Sequence, residues 1–298
     1  MANLEHLTKL KQGVVSWVNW LDRQHPPEID LTAADLRGVS LPQAYLVKAD
    51  LAGSDLTGAL LSQANLTGAN LESAELIDAD LRRANLTGVN LQSAYLIDAD
   101  LERANLIGSD LRSVFGRRAN FCGANLIGTS IHQARFPHAN FTQAKLNRAN
   151  LSETDLTWAS FDRADLAGAN FFEAEMQSAS FYQANLDRIK AIATHLSHSY
   201  FVASSFVEAS LVGCDLRWAN LSYVNLQGAD LTRAKLRGTN LTRANLTGAN
   251  LSGANLRGAN LTKANLCQAN LTGADIENTI FNRATLTETI APDGTVHY

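Results

Sequence analysis

The feature that most constrains this chain is a large apolar residue at every fifth position. The series starts at Leu31 and continues to Leu286 without a slip, which gives 52 centres. Only Gly116 and Ala191 are centres that are not large and apolar. An α-helix repeats its apolar face every 3.6 residues and a strand every 2, so neither element alone buries all of these side chains. A chain that turns a corner in every five-residue repeat buries them all.

Each repeat follows the consensus A-(N/D)-L-(T/S/R)-G around its centre. The residue two before the centre is Ala in 36 of 51 repeats. In an extended backbone this residue and the centre point to the same side. We therefore predict that both face a shared interior, with Ala where four walls converge. Four repeats, or twenty residues, then close one coil.

The glycines mark the predicted corners. Of the 19 glycines, 16 stand two residues after a centre. A type II turn needs positive φ at its third residue, where Gly is strongly preferred. Repeats with a bulky residue in this slot, such as Arg83 or Trp158, are expected to use a different turn class.

The N-terminal segment is predicted to cap the first coil. Apolar residues recur at helical spacing from Leu4 to Leu21, and Pro26-Pro27 is a helix stop. We predict one amphipathic helix over Asn3–Arg23, or two packed half-helices, because the end of a solenoid exposes core and strand edges. The predicted organisation is a helical cap over 1–28, a repeat region over 29–290 and a tail over 291–298.

The A-(N/D)-L-(T/S/R)-G repeats, unbroken from Leu31 to about Ile290, resemble the pentapeptide-repeat family. The resemblance implies an all-β solenoid, a right-handed quadrilateral β-helix of about 13 coils without a ligand cavity. The tail from Ile290 resembles that of bacterial, especially cyanobacterial, members. It lacks the long helix through which some relatives dimerise, which implies a monomer or a weak dimer.

Bulk composition excludes several function classes. A net charge of −4 disfavours binding to nucleic acid by phosphate neutralisation. The sequence shows no secretory signal and no apolar run of membrane length, so we expect a cytoplasmic protein with no membrane partner. The three cysteines are far apart and outside any metal-ligand spacing, so we expect no metal and no cofactor.

An enzyme is disfavoured by the predicted architecture. Carboxylates are dense between Glu72 and Glu102, but a flat convex wall offers no cleft to desolvate a substrate. We therefore predict no catalytic residues. Seven successive asparagines are expected to accept hydrogen bonds from nearby backbone at the corners: Asn240, Asn245, Asn250, Asn255, Asn260, Asn265 and Asn270.

One wall differs from the polar surface that the repeats predict elsewhere. It is built on the centres Leu36, Leu56, Leu76 and Leu96 and their equivalents in later coils, and we call it the Leu36 wall. Exposed aromatics with arginines are typical of interaction hot spots. The candidate partner-binding residues are Tyr95, Phe115, Arg117, Arg118, His138, Trp158, His198 and Trp218. Aromatics that only pack on neighbouring coils remain the alternative. Gly116, with Phe115 beside it, predicts a local bulge or a compromise in register on this wall, and Ala191 predicts a second weak position elsewhere.

These observations favour a non-catalytic protein–protein interaction scaffold whose partner the sequence does not identify. The family resemblance adds a regulatory adaptor, as in cyanobacterial cell differentiation. The alternative is a mimic of DNA that modulates a type II topoisomerase such as gyrase. Residues 31–110 carry a net charge of −6, but 111–200 and 201–290 each carry +2. Mimicry needs negative charge along the whole rod, so it ranks second.

Overall fold

The computed structural model describes residues 2–24 and 28–296. The chain forms two compact parts, residues 1–150 and 151–298, here called the first half and the second half. The predicted helix stop at Pro26-Pro27 lies outside the described residues, and the division into cap, repeat region and tail stays a prediction.

The N-terminal segment folds as two short helices, α1 (Leu4–Lys11) and α2 (Val14–Gln24). The side chain of Asn3 caps α1 by accepting from the backbone N–H groups of Glu5 and His6. Between the helices Gly13 has a φ of +95°, a conformation that favours glycine. Of the two predicted forms, the pair of half-helices is therefore confirmed.

Polar contacts attach this helical pair to the first repeats. The indole N–H of Trp17 donates to the carbonyl of Tyr45 over 2.8 Å, and the Asp30 N–H donates to Nδ1 of His6 over 3.1 Å. Trp17 and Trp20 are buried and stack with ring centroids 5.2 Å apart. The helices therefore cover the exposed end of the repeats, as expected of a cap.

Parallel backbone bridges join residues twenty apart. In the first half they run from Asp30–Asp50 to Ser130–Asn150, and in the second half from Asp155–Glu175 to Asn270–Ile290. Each repeat contributes only the residue before its centre, so the described residues contain no β-strand longer than one bridging position. Five-residue repeats in a twenty-residue register make a coil with four sides. The total of about 13 coils stays a prediction.

The hydrogen bonds of one repeat explain why Asn or Asp precedes the centre. In the repeat Ala64–Gly68, four of the five backbone N–H groups donate to backbone carbonyls, three of them in adjacent coils. The fifth, on Thr67, donates to Oδ1 of Asn65 over 3.2 Å. All seven asparagines from Asn240 to Asn270 accept the equivalent bond, which confirms their predicted role.

The core consists of stacked centres. Phe121 lies 4.9 Å from Phe141 in the first half, and Phe181 lies 4.9 Å from Phe161 and 4.8 Å from Phe201 in the second, all nearly parallel. The Ala positions two before the centres are buried beside them. The predicted interior of large and small residues is therefore confirmed within each half.

The prediction of a second turn class is wrong. Non-glycine residues in the glycine slot have φ between +53° and +62°, including Arg83 at +56° and Trp158 at +61°. Glycines in the slot have φ between +60° and +69°. The reason is that the N–H in this slot donates to the next coil, as from Arg83 to the Glu102 carbonyl. This ladder holds the left-handed backbone against a strain of about 1–2 kcal/mol for a residue with a Cβ.

The bulge predicted at Gly116 is also wrong. Its N–H donates to the Arg135 carbonyl over 2.7 Å, and the bridges on both sides keep the register. A Cβ at Gly116 would lie 2.1 Å from Cε1 of Phe136, so the ring of the next coil takes the space of the missing side chain. Near Ala191 the large and small side chains of one repeat are exchanged. Ala191 stands at the centre, which is usually large, and the buried Ile189 stands two residues earlier, where Ala is usual. The ladder continues there through the bond from Ala191 to Ser210.

Candidate interaction surface

In the first half, the aromatic candidates of the Leu36 wall cover one another. Tyr95 and Phe115 stand in the same slot of successive coils, with ring centroids 5.1 Å apart and planes 12° apart. The guanidinium of Arg135, in the next coil, lies 5.4 Å from the Phe115 centroid. The three side chains form a continuous stack along the wall, which is the packing alternative weighed for these residues.

The arginine candidates of the first half differ from each other. Arg118 makes a bidentate pair with Asp98 of the preceding coil, with distances of 2.6 Å and 2.5 Å. Hydrogen bonds from Arg118 hold the pKa of Asp98 below its usual value. Arg117 and His138 are exposed in the same half. The first half therefore engages most of its candidate side chains internally.

In the second half, Trp158, His198 and Trp218 each stand two residues after a centre. Their backbone N–H groups donate to Gln177, Arg217 and Arg237 of the following coils over 3.0–3.1 Å. The regular ladder therefore places one column along the corner: Trp158, Ser178, His198, Trp218 and Gly238. Trp158 is 62% exposed and Trp218 is 55% exposed.

Trp218 is seated on a glycine of the next coil. A Cβ built at Gly238 would meet two carbons of the six-membered indole ring at 2.3 Å, so the ring occupies that space. One face of Trp218 therefore packs on backbone while the rest of the side chain stays exposed. Gly238 looked like an ordinary corner glycine in the sequence, and its role as a seat was missed.

Sequence reasoning also missed three tyrosines on the adjoining wall. Tyr200 is 42% exposed and Tyr223 is 53% exposed, while Tyr182 lies 6.4 Å from Tyr200 between ring centroids. Tyr182, Tyr200 and Tyr223 stand four, two and five residues after Ser178, His198 and Trp218 of the corner column. We call Trp158, Tyr182, His198, Tyr200, Trp218 and Tyr223 the aromatic patch. The sequence signal that finds these tyrosines is the twenty-residue register, provided that it is followed across a corner and not along one wall alone.

Charge changes sign along the aromatic patch. The coils of Trp158 and Tyr182 carry Asp155, Asp162 and Glu175, of which Glu175 contacts His195 over 2.7 Å. Past Trp218, the coil of Gly238 carries Lys235, Arg237 and Arg243. Arg243 donates to the Tyr223 hydroxyl over 2.6 Å and lies over its ring. The patch therefore has an acidic end and a basic end.

An ion pair within one repeat separates these two ends. Arg217 pairs with Asp215, which is buried, and its Nε lies 2.8 Å from Oδ1. Burial raises the pKa of Asp215, but the hydrogen bonds from Arg217 outweigh it and the net pKa is lowered. This pair neutralises the coil that carries Trp218, so the patch is nearly neutral at that level.

No metal-ion site stands out in the ranges 2–24 and 28–296. No group of three or more His, Cys, Asp or Glu there is placed to hold a metal ion. Burial raises the pKa of the Cys214 thiol to about 12, so this thiol stays protonated. A groove of about 1220 Å³ lies beside α2, lined in part by Val18, Leu21 and Tyr45. None of the eight candidate residues lines it. Neither described helix is long and apolar enough to cross a membrane.

Comparison with known proteins gives a family and several related structures. The pentapeptide-repeat family matches in overlapping segments that run from residue 28 to residue 287. The structure of HetL, described as a pentapeptide repeat protein involved in heterocyst differentiation regulation in the cyanobacterium Nostoc, is 33% identical. It covers 75% of this chain and 92% of its own, with a TM-score of 0.38.

Two further structures are similar. QnrB1, described as a plasmid-mediated fluoroquinolone resistance protein, is 21% identical over 61% of this chain and 88% of its own, with a TM-score of 0.43. Rfr23, from the cyanobacterium Cyanothece, is 36% identical over 37% of this chain and 63% of its own, with a TM-score of 0.25. The comparison with curated protein sequences returned no significant match.

Proposed function

Because this chain belongs to the pentapeptide-repeat family, we propose that it is a non-catalytic scaffold that binds another protein through the Leu36 wall. The family fold is a right-handed quadrilateral β-helix. The observation that carries the proposal is the pair Trp158 and Trp218, which stand more than half exposed in one column. The other proposed contact residues are Tyr95, Phe115, Arg117, Arg118, His138 and His198.

The physical support is preorganisation. Tryptophan is enriched in binding hot spots because a large ring buries much apolar area while few torsions are fixed. Here the backbone under each ring is held by a hydrogen-bonded ladder, and Gly238 seats Trp218. Little conformational entropy remains to be lost on binding, which favours affinity.

A regulatory role is the narrower form of the proposal. It places the protein in the cytoplasm of a cyanobacterium, as an adaptor in cell differentiation and as a monomer or weak dimer. Its support is the family resemblance and the 33% identity with HetL, whose description names heterocyst differentiation.

The test is affinity capture from an extract of the source organism. The tagged full chain is compared with Phe115→Ala/Trp158→Ala/Trp218→Ala, with bound proteins identified by mass spectrometry. We expect the variant to lose specific partners. The matched control is Ile107→Ala/Phe172→Ala, two side chains that are each 39% exposed and lie off the wall. Equal recovery of every partner by the triple variant would refute the proposed surface.

The second candidate function is DNA mimicry. It is favoured by the net charge of −6 over residues 31–110. Against it, several of these carboxylates are paired with arginines, as Asp80 is with Arg82 and Asp110 with Arg112. A supercoiling assay with purified gyrase separates the two functions. Inhibition or protection at low micromolar protein would favour mimicry, and unchanged supercoiling would favour the scaffold.

A further inference from the structure

We infer that the aromatic patch of the second half docks a proline-rich protein segment in the polyproline II conformation. The segment would lie along the column from Trp158 to Trp218 with its basic end toward Trp158. This inference rests on the proposed function and names the chemistry of the partner.

The first support is the concentration of exposed rings. Five large aromatic side chains of the second half are more than a third exposed among the described residues, and four belong to the patch: Trp158, Tyr200, Trp218 and Tyr223. Their exposed ring surfaces offer the apolar contact that aromatic side chains supply at binding interfaces. A polyproline II segment has apolar rings and carbonyls without internal hydrogen bonds, so it supplies the complementary surface.

The second support is spacing. Successive coils lie about 4.8 Å apart, so every second coil lies about 9.6 Å away. One polyproline II turn of three residues rises about 9.3 Å. A strand repeats its face about every 6.7 Å and an α-helix turns every 5.4 Å or so, and neither distance fits one or two coils.

The two-coil spacing occurs once in the corner column, between Trp158 and His198. Trp218 stands one coil after His198, and on the adjoining wall Tyr182 stands nearly one coil before Tyr200 and about two coils before Tyr223. A polyproline II segment along the column would therefore meet Trp158 and His198 one turn apart and reach Trp218 about half a turn further on.

The third support is charge complementarity. Asp155, Asp162 and Glu175 form the end near Trp158, and Lys235, Arg237 and Arg243 form the end past Trp218. The coils of Asp155 and Lys235 are four steps apart, or about 19 Å, which about six polyproline II residues span. The partner segment would thus have a proline-rich core of this length, with basic residues at the end near Trp158 and acidic residues at the other end. Either chain direction satisfies this charge pattern.

The probe is a fluorescein-labelled peptide, Arg-Arg-Pro-Pro-Leu-Pro-Pro-Leu-Pro-Glu-Glu, titrated with the full chain and followed by fluorescence anisotropy. The first control peptide has Gly in place of every Pro, and the second has Arg at both ends. We expect the bipolar proline peptide to bind at least tenfold tighter than either control, and Trp218→Ala to weaken it at least tenfold. Equal binding of the three peptides, or unchanged binding by Trp218→Ala, would overturn the inference.

A glycine pair provides a readout of the seat under Trp218. Gly238 and Gly258 stand in the same column with φ of +68° and +66°, but a Cβ at Gly258 meets no atom within 4 Å. Both Ala variants share the backbone strain, and only Gly238→Ala displaces the indole. We expect peptide binding to weaken about fivefold in Gly238→Ala, the loss of a partial hot-spot contact, and to stay unchanged in Gly258→Ala. Equal effects of the two would contradict the docking site.

This experiment fails separately from the proposed function. Partners that depend on the wall, together with a peptide that neither binds nor competes with them, would refute the polyproline inference and leave the scaffold standing. If the triple variant, which lacks Trp158 and Trp218, still recovers every partner while Trp218→Ala abolishes peptide binding, the proposed scaffold surface is refuted and only the peptide-binding chemistry of the patch is supported.

Discussion

The two halves hold their candidate aromatic residues in different surroundings. In the first half, Tyr95 is followed one coil later by Phe115 and then by Arg135, and the three stack on one another. In the second half, Trp158 is followed by Ser178, and Trp218 by Gly238. A large side chain followed by another becomes part of a stack, whereas Trp158 and Trp218, each followed by a small residue, stay more than half exposed. The neighbour twenty residues on decides which side chains a partner can reach.

The largest expected effect is on partner affinity. Removing both exposed rings by Trp158→Ala/Trp218→Ala should weaken binding more than about 100-fold, because two hot-spot residues contribute about 2 kcal/mol each. Removing the stacked rings by Tyr95→Ala/Phe115→Ala should weaken binding only about fivefold, because each ring already has one face against its neighbour. Isothermal titration with the captured partner measures both. A greater loss from the first-half pair would reverse the comparison between the halves.

The next effect is on stability and concerns Gly116, the residue that follows Phe115 in the first half. Gly116→Ala should lower the free energy of unfolding by about 1–3 kcal/mol, because the added Cβ overlaps Phe136. Adding Phe136→Leu should recover part of the loss. Urea unfolding of the single and double variants gives the coupling between them. Additive effects would show that Phe136 does not occupy the space over Gly116.

A third experiment adds a ring in the coil after Trp158, as Phe115 stands in the coil after Tyr95. Ser178→Tyr places a ring in the coil after Trp158 and should stabilise the chain by about 0.5–1.5 kcal/mol through aromatic stacking. Partner affinity should fall at the same time, because part of the Trp158 surface becomes covered. Ser178→Ala is the control for loss of the hydroxyl. If the Ser178→Tyr variant is more stable but binds the partner with unchanged affinity, exposure of Trp158 does not determine binding.

The smallest effect is electrostatic and depends on pH. The folded pKa of Asp98 is lowered by Arg118, so the pair stabilises the fold above the unfolded pKa of about 3.9 and loses its effect as pH falls through the folded value. Arg118→Ala should therefore lower the free energy of unfolding slightly at neutral pH and leave it unchanged at lower pH.

The control for this pH effect is Arg217→Ala. Its partner Asp215 stands only two residues away, so part of that attraction persists in the unfolded chain. Urea unfolding at pH 7 and at pH 2.5 compares the two variants. A difference between wild type and Arg118→Ala that stays constant across this range would argue against the pair.

Much of the architecture was predictable because it repeats. The burial of Leu and Ala, the backbone bonds of Asn and the helical cap follow from rules that apply to every repeat or to any open end. The turn at Arg83 was not predictable from propensity, because ladder bonds to the next coil override the local preference for glycine. The fit of Phe136 over Gly116, and that of Trp218 over Gly238, depend on neighbours in other coils, so neither follows from the five-residue pattern alone.

The asparagine hydrogen bond has a consequence for how such a surface diversifies. The residue before each centre provides the local acceptor for the fifth backbone N–H, and Tyr95, Phe115, His195 and Tyr200 all stand in this position. Gaining a recognition side chain there therefore means giving up a bond that maintains the corner. The N–H that needs this acceptor belongs to the residue two positions later. A proline at that later position has no N–H, so no acceptor is needed, and Pro137 stands two residues after Arg135 in this way. A paired change, to proline at one position and to a ring two residues earlier, would let new surfaces be installed without loosening the corner.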